Sequence, residues 1–491
     1  MNHWLSKKQC LSLLMAMLLL TSCGAASGNE SDLIEKAPTE SDTQLEDVTE
    51  TVWDPLAHLP ELSYDGSCFT FLVTDTGYFG TQDILRTELN GEVINDAVIQ
   101  RNQLVESKLD VVIAEVRSDS VAQLAREAVL ANDPGYDAVF SQRDIANMAF
   151  DGSLRDLLSL PYLEEDATWW DTYIFEEMAL DGKAYFGTGD ISLMDNDCTL
   201  LLVFNKYLVE EYALPDPYAM VNDMTWTFDR FAEMSEAVAT DLDGDGAWTQ
   251  EDRYGVSLAY DHINYYYRAF GRRYSTLPTG AEPMPKAVTL TEQDVDSFTK
   301  LMALFSVEQN CFLINKLKAD GIVHTFSREQ FTQDQYLFTI AEPLVFSEFR
   351  EMEHDFGILP LPLYDENQER YYTVLDTAFT MLSVPISAED GDKCGAILEA
   401  MAAQSAKTIT PAYNETLLKR KYSRDNESEQ MLDIIASNRT YDMASIFGWG
   451  GLESVLPTLF QNGATDLVSS YASVEKAVNA NIEKAIAKLT N

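Results

Sequence analysis

Cys68-Phe69-Thr70-Phe71-Leu72-Val73 opens the stretch whose reading decides the fold. This short apolar run reads as a strand, Asp96–Leu109 as a helix, Val111–Val116 as a strand, Val121–Ala131 as a helix and Ala138-Val139-Phe140 as a third strand. Strand, helix, strand, helix, strand predicts an open, largely parallel sheet with helices on both faces. In such sheets ligands sit beyond the carboxyl ends of the strands. That rule selects Thr74, Asp75 and Tyr78 after the first strand, and Ser141, Gln142, Arg143 and Asp144 after the third. Each could equally cap a turn or face solvent, but together they offer the polar set that binds hydroxyl groups.

Downstream, a second α/β section begins near Thr199 with the run Leu200–Phe204, then a helix through Tyr212. Thr227 is placed to cap the next helix, and Arg230 stands where a capping box would have Glu. Further elements are a helix over Glu292–Glu308, strands at Leu337–Ile340, Phe356–Leu359 and Ala378–Val384, and long helices over about 389–405 and 473–489. The roughly 425 residues from about 66 onward exceed what one core usually holds, so two lobes are expected.

Upstream, Lys7 and Lys8 precede the apolar run Leu11–Leu20 and then Leu20-Thr21-Ser22-Cys23. Ten residues of helix cover only about 15 Å of a hydrocarbon core about 30 Å thick, so residues 1–22 read as a signal peptide rather than a span. The small residues before Cys23 match a lipobox, which makes Cys23 a lipidation site. Residues 23–62 then form an acidic tether, rich in Ser, Thr, Asp and Glu. The remaining cysteines, Cys68, Cys198, Cys311 and Cys394, are far apart and read as buried thiols. A net charge of −46, from 80 acids against 34 Lys and Arg, argues against nucleic acid or an anionic lipid surface as partner.

Around the start of the second section, Gly187-Thr188-Gly189-Asp190-Ile191-Ser192-Leu193-Met194-Asp195-Asn196-Asp197 is followed by Leu202-Val203-Phe204-Asn205-Lys206. These residues resemble the extracellular solute-binding proteins of ABC importers, the group that includes maltose-binding protein. Trp226-Thr227-Phe228-Asp229, Gly357-Ile358-Leu359-Pro360-Leu361-Pro362 and Ser383-Val384-Pro385 resemble further motifs of that family, in its order. The resemblance implies a two-lobed periplasmic-binding-protein-like fold of type II, each lobe a mostly parallel sheet flanked by helices. It implies crossings near 187–199, 371–378 and 425–445, and lobes over 63–190 plus 374–435 and 191–373 plus 436–491. By the same resemblance the chain is a monomeric, non-enzymatic carbohydrate receptor on the outer face of the cell membrane, serving importer permease subunits. Asp195, Asn196 and Asp197 would lie on the hinge.

Four constellations carry chemistry. Asp241-Leu242-Asp243-Gly244-Asp245-Gly246-Ala247 with Asp252 has the acids, glycine and carbonyl position of an EF-hand loop. Asp252 stands where that loop has Glu, and Arg253–Leu258 reads as a strand, so a structural Ca2+, an empty acidic turn and a calcium sensor all remain open. Trp449, in a Gly-rich turn, resembles a sugar-stacking tryptophan, with a core role as the alternative. Trp169-Trp170 and Tyr265-Tyr266-Tyr267-Arg268 pose the same choice; Tyr265 and Arg268 are taken as candidate ligand contacts. The competing functions are a secreted glycoside hydrolase, which needs a spaced carboxylate pair, and a lipid-anchored sensor or adhesion module.

Overall fold

The computed structural model describes residues 53–75, 80–81, 83–317, 323–419 and 426–489. The signal peptide, Cys23, most of the tether and Tyr78 lie outside the described residues. Among those described run the strands β1 (Ser67–Thr74), β2 (Val111–Ser118), β3 (Ala138–Ser141), β4 (Leu201–Asn205), β5 (Tyr254–Leu258), β6 (Cys311–Leu313), β7 (Tyr336–Ala341), β8 (Phe356–Leu359), β9 (Thr373–Val374), β10 (Met381–Ser383) and β11 (Arg439–Thr440).

The first sheet has the order β10-β3-β1-β2. Phe69, Phe71, Leu72 and Val73 of β1 are fully buried, as expected of a strand covered on both faces. The helix Val93–Leu109 starts where the Glu92 carboxylate accepts the Asn95 N–H, and it stops at Asp110 in the left-handed conformation. It packs on the helices Gly391–Lys407 and Ile409–Lys419. The first of these sits tight because Gly395 lets the Pro161 carbonyl approach; a Cβ there would lie 1.9 Å from that oxygen.

The second sheet has the order β6-β5-β7-β4-β8. Thr227 does cap the helix Phe228–Val238, accepting the Arg230 N–H. Here the expectation of a mostly parallel sheet needs correction, because β4 runs antiparallel to both β7 and β8. In the first sheet β10 likewise opposes β3. The reason is directional. β4 and β10 enter their sheets from the chain crossings and run away from them, whereas β3 and β7 end there.

Three crossing segments lie side by side. Thr199 bridges Leu375, the Leu200 N–H donates to the Val374 carbonyl, and β9 pairs in parallel with β11. All three expected crossings are thus adjacent. The helix Asn426–Ala436 falls within the stretch expected in lobe 1, yet it packs on β8 of the second sheet. The short β6, β9 and β11 carry two or three residues each, too few for an alternating pattern to register in sequence. Cys198, Cys311 and Cys394 are buried thiols, but Cys68 is exposed because β1 enters its cover only at Phe69.

Candidate functional site

Strand direction brings the site together. Ser141 at the end of β3 pairs with Met381 at the start of β10, and Ala341 at the end of β7 pairs with Leu201 at the start of β4. The carboxyl ends of strands from both sheets therefore meet at the crossings, where the strand-end rule puts a ligand. Gln142 donates to the Ala378 carbonyl at 3.1 Å, and Arg143 reaches to 3.8 Å from Glu453. From the second sheet, Asp261, His262 and Tyr265 follow β5, and Glu342 follows β7. Tyr265 faces Asp376 and opposes the rise that burial gives its carboxyl, and the Asp376 backbone N–H donates to the Cys198 carbonyl at 2.8 Å.

The electrostatics of this cluster are acidic. Burial pushes the Glu342 carboxyl up to about 7, Asp376 adds to the shift, and Arg328 opposes it. Burial also raises Asp376. His262 goes the other way, down to about 4, because burial disfavours its cation; its Nδ1 accepts the Ala259 N–H at 3.2 Å. Carboxylates beside a tyrosine ring supply acceptors for hydroxyl groups and a flat ring for an apolar sugar face.

The remaining expected contacts disperse. Thr74 is buried and donates to the Phe140 carbonyl, tying β1 to β3. Asp75 pairs with Arg117 on the surface, and Ser141 donates to Asp144 at 2.8 Å. Arg268 is buried and donates to the Thr440 carbonyl. Trp449 is 5% exposed and stacks face to face on Phe447, with ring centroids 4.9 Å apart. It stands beside Phe150 at the wall of a cavity of about 330 Å³; among the described residues its buried indole N–H has no partner, and it makes no contact to Tyr265 or Asp376. Trp169 and Trp170 both donate their indole N–H to the buried Glu399, at 2.9 Å each.

Asp195 and Asn196 face a separate cavity of about 370 Å³ at the crossings, which Trp169, Trp170, Asp190, Tyr413 and Arg439 also line. Arg439 of β11 donates to Asp195 at 3.0 Å and to Asn196, and lies 3.8 Å from Asp171. Tyr413 donates to Asp197 and Thr410 to Asp190, at 2.8 and 2.7 Å. Burial raises all three acids, Asp190 to about 6 and Asp195 and Asp197 to about 7, with Arg439 pulling Asp195 down. The Arg439 cation is held, against the cost of burial, chiefly by Asp195 and Asp171. Asp376, Glu342, Asp261 and Arg439 were missed in sequence. The strand-end rule, applied to β5 and β7 as it was to β1 and β3, finds Asp261 and Glu342; nothing local marks Asp376 or Arg439.

In the acidic loop, Asp241, Asp243 and Asp252 bring carboxylate oxygens within 4.8 Å of one another, while Asp245 stays outside that group and accepts the Ala247 N–H. Both Asp252 oxygens accept backbone N–H groups, from Leu242 and Thr249. Gly244 and Gly246 take the left-handed conformation that the turn requires. The three converging carboxylates fit a hard cation in donor type.

No family model and no curated protein matches the chain. Solved structures do. The ABC substrate-binding protein Lmo0181 from Listeria monocytogenes, in complex with cycloalternan, aligns over 87% of this chain and 100% of its own at 12% identity and a TM-score of 0.51. The fold is that of the ABC substrate-binding proteins. UspC of M. tuberculosis aligns over 84% of this chain and 100% of its own, at 14% identity and a TM-score of 0.57. MalE from Listeria monocytogenes, in complex with maltose, gives 86% and 99%, 15% and 0.55. No helix among the described residues is long and apolar enough to cross a membrane.

Proposed function

We propose that the chain is a carbohydrate-binding receptor that delivers its solute to the permease subunits of an ABC importer and performs no chemistry on it. The supporting observation is the meeting of the β3 and β7 ends at the crossings, which sets polar loops of two sheets against each other across a hinge. Rotation about such crossings closes a cleft on its ligand. Asp376, Glu342, Tyr265, Gln142 and Arg143 are the residues assigned to the sugar. Cycloalternan and maltose, bound by two proteins of this fold, are the starting members of the test panel. Calorimetry against oligosaccharides should give micromolar affinity, about −8 kcal/mol, weakened by Asp376→Ala. Hydrolysis of chromogenic glycosides, abolished by one carboxylate substitution, would overturn the reading.

On this proposal the receptor is monomeric and anchored at the outer membrane face by a lipid on Cys23. Cys23→Ser then releases it from the membrane with ligand affinity intact. Asp241, Asp243 and Asp252 hold a structural Ca2+, with the Ala247 carbonyl as a further ligand and Asp245, whose carboxylate accepts the Ala247 N–H, left out of the set. Added calcium should raise the melting midpoint of chelator-treated protein, and Asp241→Asn should remove that response.

A further inference from the structure

The cavity beside the crossings is not the strand-end cleft, and its walls come from both sides of the molecule. Tyr413 belongs to the first side, since the helix Ile409–Lys419 packs on Val93–Leu109, and Asp190 is tied to it through Thr410, whereas Asp195 sits on the crossing itself, in the turn Met194–Asp197 that packs on Pro343–Phe349. Pro343, which follows β7, and the helix Asn426–Ala436, which packs on β8, belong to the second. A cavity walled by both lobes at their hinge changes shape when the lobes rotate. Its charge is unbalanced. Asp171, Asp190 and Asp195 gather around one guanidinium, that of Arg439, and Asp197 stands behind them, bonded to Tyr413 and repelled by Asp195.

We propose that this hinge cluster is a proton-operated latch. Protonation of Asp190, Asp195 or Asp197 favours the lobe arrangement seen here, ionisation favours one in which the cavity is wider and wetter, and solute affinity follows the balance. The argument is one of solvation. A buried carboxylate without its own counter-ion is costly, and the cost is relieved either by a proton or by water. Rotation that opens the cavity supplies water. Burial accordingly raises all three acids into the range about 6 to about 7.

The surrounding groups do not cancel the excess. Asp83 faces Asp197 from the loop after β1, but it is shared with Arg101. Glu177 is engaged by Arg273. Tyr441 donates to Asp171 at 2.8 Å, which satisfies a lone pair without adding charge. Asp433, on the second side, is exposed at the cavity rim and adds to the negative excess. Asp376 and Glu342 act on Cys198 from the cleft side, and they too are acids. Arg439 therefore remains the cation that Asp195 feels most.

The effect on solute rests on the receptor reading above; the latch itself is tested without solute. Small-angle scattering of the ligand-free protein from pH 5 to 8 should show the radius of gyration change with a midpoint between about 6 and about 7. Asp190→Asn, Asp195→Asn and Asp197→Asn combined should flatten the curve. Should that triple variant fail to fold, Asp190→Asn alone should still reduce the amplitude. A radius constant with pH in the unaltered protein, or a curve unchanged in a folded variant, overturns the latch. In a parallel arm, affinity for a bound sugar should change on the order of 5-fold across the same range, within the usual span of coupling between sites. A pH-dependent radius with no sugar bound from any panel leaves the latch standing and removes the carbohydrate reading instead.

Discussion

At the scale of single residues, Arg439 and Trp449 show how context assigns a role. Arg439 is buried with Asp195, Asn196 and Asp171 around it, so removing it leaves carboxylates with no counter-ion. Arg439→Ala should cost about 3–5 kcal/mol, read as a lower thermal midpoint. Trp449 looked like a platform for a sugar because it stands among glycines, where no strand explains an aromatic. The glycines instead let the chain double back, and Gly448, Gly450 and Gly451 all have positive φ, so the indole folds onto Phe447 and Phe150. Trp449→Ala should therefore act as a core truncation, lowering stability by about 3 kcal/mol or more. Sugar affinity measured below the melting range should change far less than in Asp376→Ala.

At the scale of elements, the helices and strands with a long periodic pattern could be read from sequence. Val121–Ala131 and Phe356–Leu359 fall at their expected bounds, because each is bounded by residues that stop it and faces one continuous core. The crossing strands β9 and β11 could not, since two-residue strands exist only through the partner they pair with. Helix packing adds a constraint that propensity hides. Alanine normally improves a helix over glycine by about 1 kcal/mol, yet Gly395→Ala should destabilise, because its Cβ would meet the Pro161 carbonyl at 1.9 Å. A higher thermal midpoint in that variant would mean that the helix Gly391–Lys407 can shift away from Pro161.

At the scale of the whole molecule, the buried acids tie stability to pH. Asp190, Asp195, Asp197 and Glu342 have folded-state values of about 6 to about 7, against 3.8 or 4.5 in the unfolded chain. Between those values the folded protein holds more protons than the unfolded one, so their contribution grows as pH falls from about 7 and is lost as pH rises through it. His262, lowered to about 4, and His324, also lowered by burial, oppose this below their unfolded value of 6.5, but they are two groups against four. Thermal midpoints should be higher at pH 5.5 than at pH 8, with the difference reduced in the Asp190→Asn, Asp195→Asn, Asp197→Asn combination. A midpoint that rises steadily with pH would contradict the burial of these groups.

Taken by itself, the sequence determined the α/β class of fold and the order of its major elements, which follow from local pattern, the spacing of apolar residues and the residues that interrupt it. The three crossings were implied by the resemblance to the solute-binding proteins. The sequence also placed Ser141–Asp144 at a strand end. Only the tertiary structure decided that β4 and β10 run against their neighbours, that Asp195 serves Arg439, and that Asp376 and Glu342 face Tyr265. Those outcomes depend on where the chain re-enters each sheet, and on burial, which turns an ordinary aspartate into a group near neutrality. Burial is a property of the assembled core, and no window of sequence contains it.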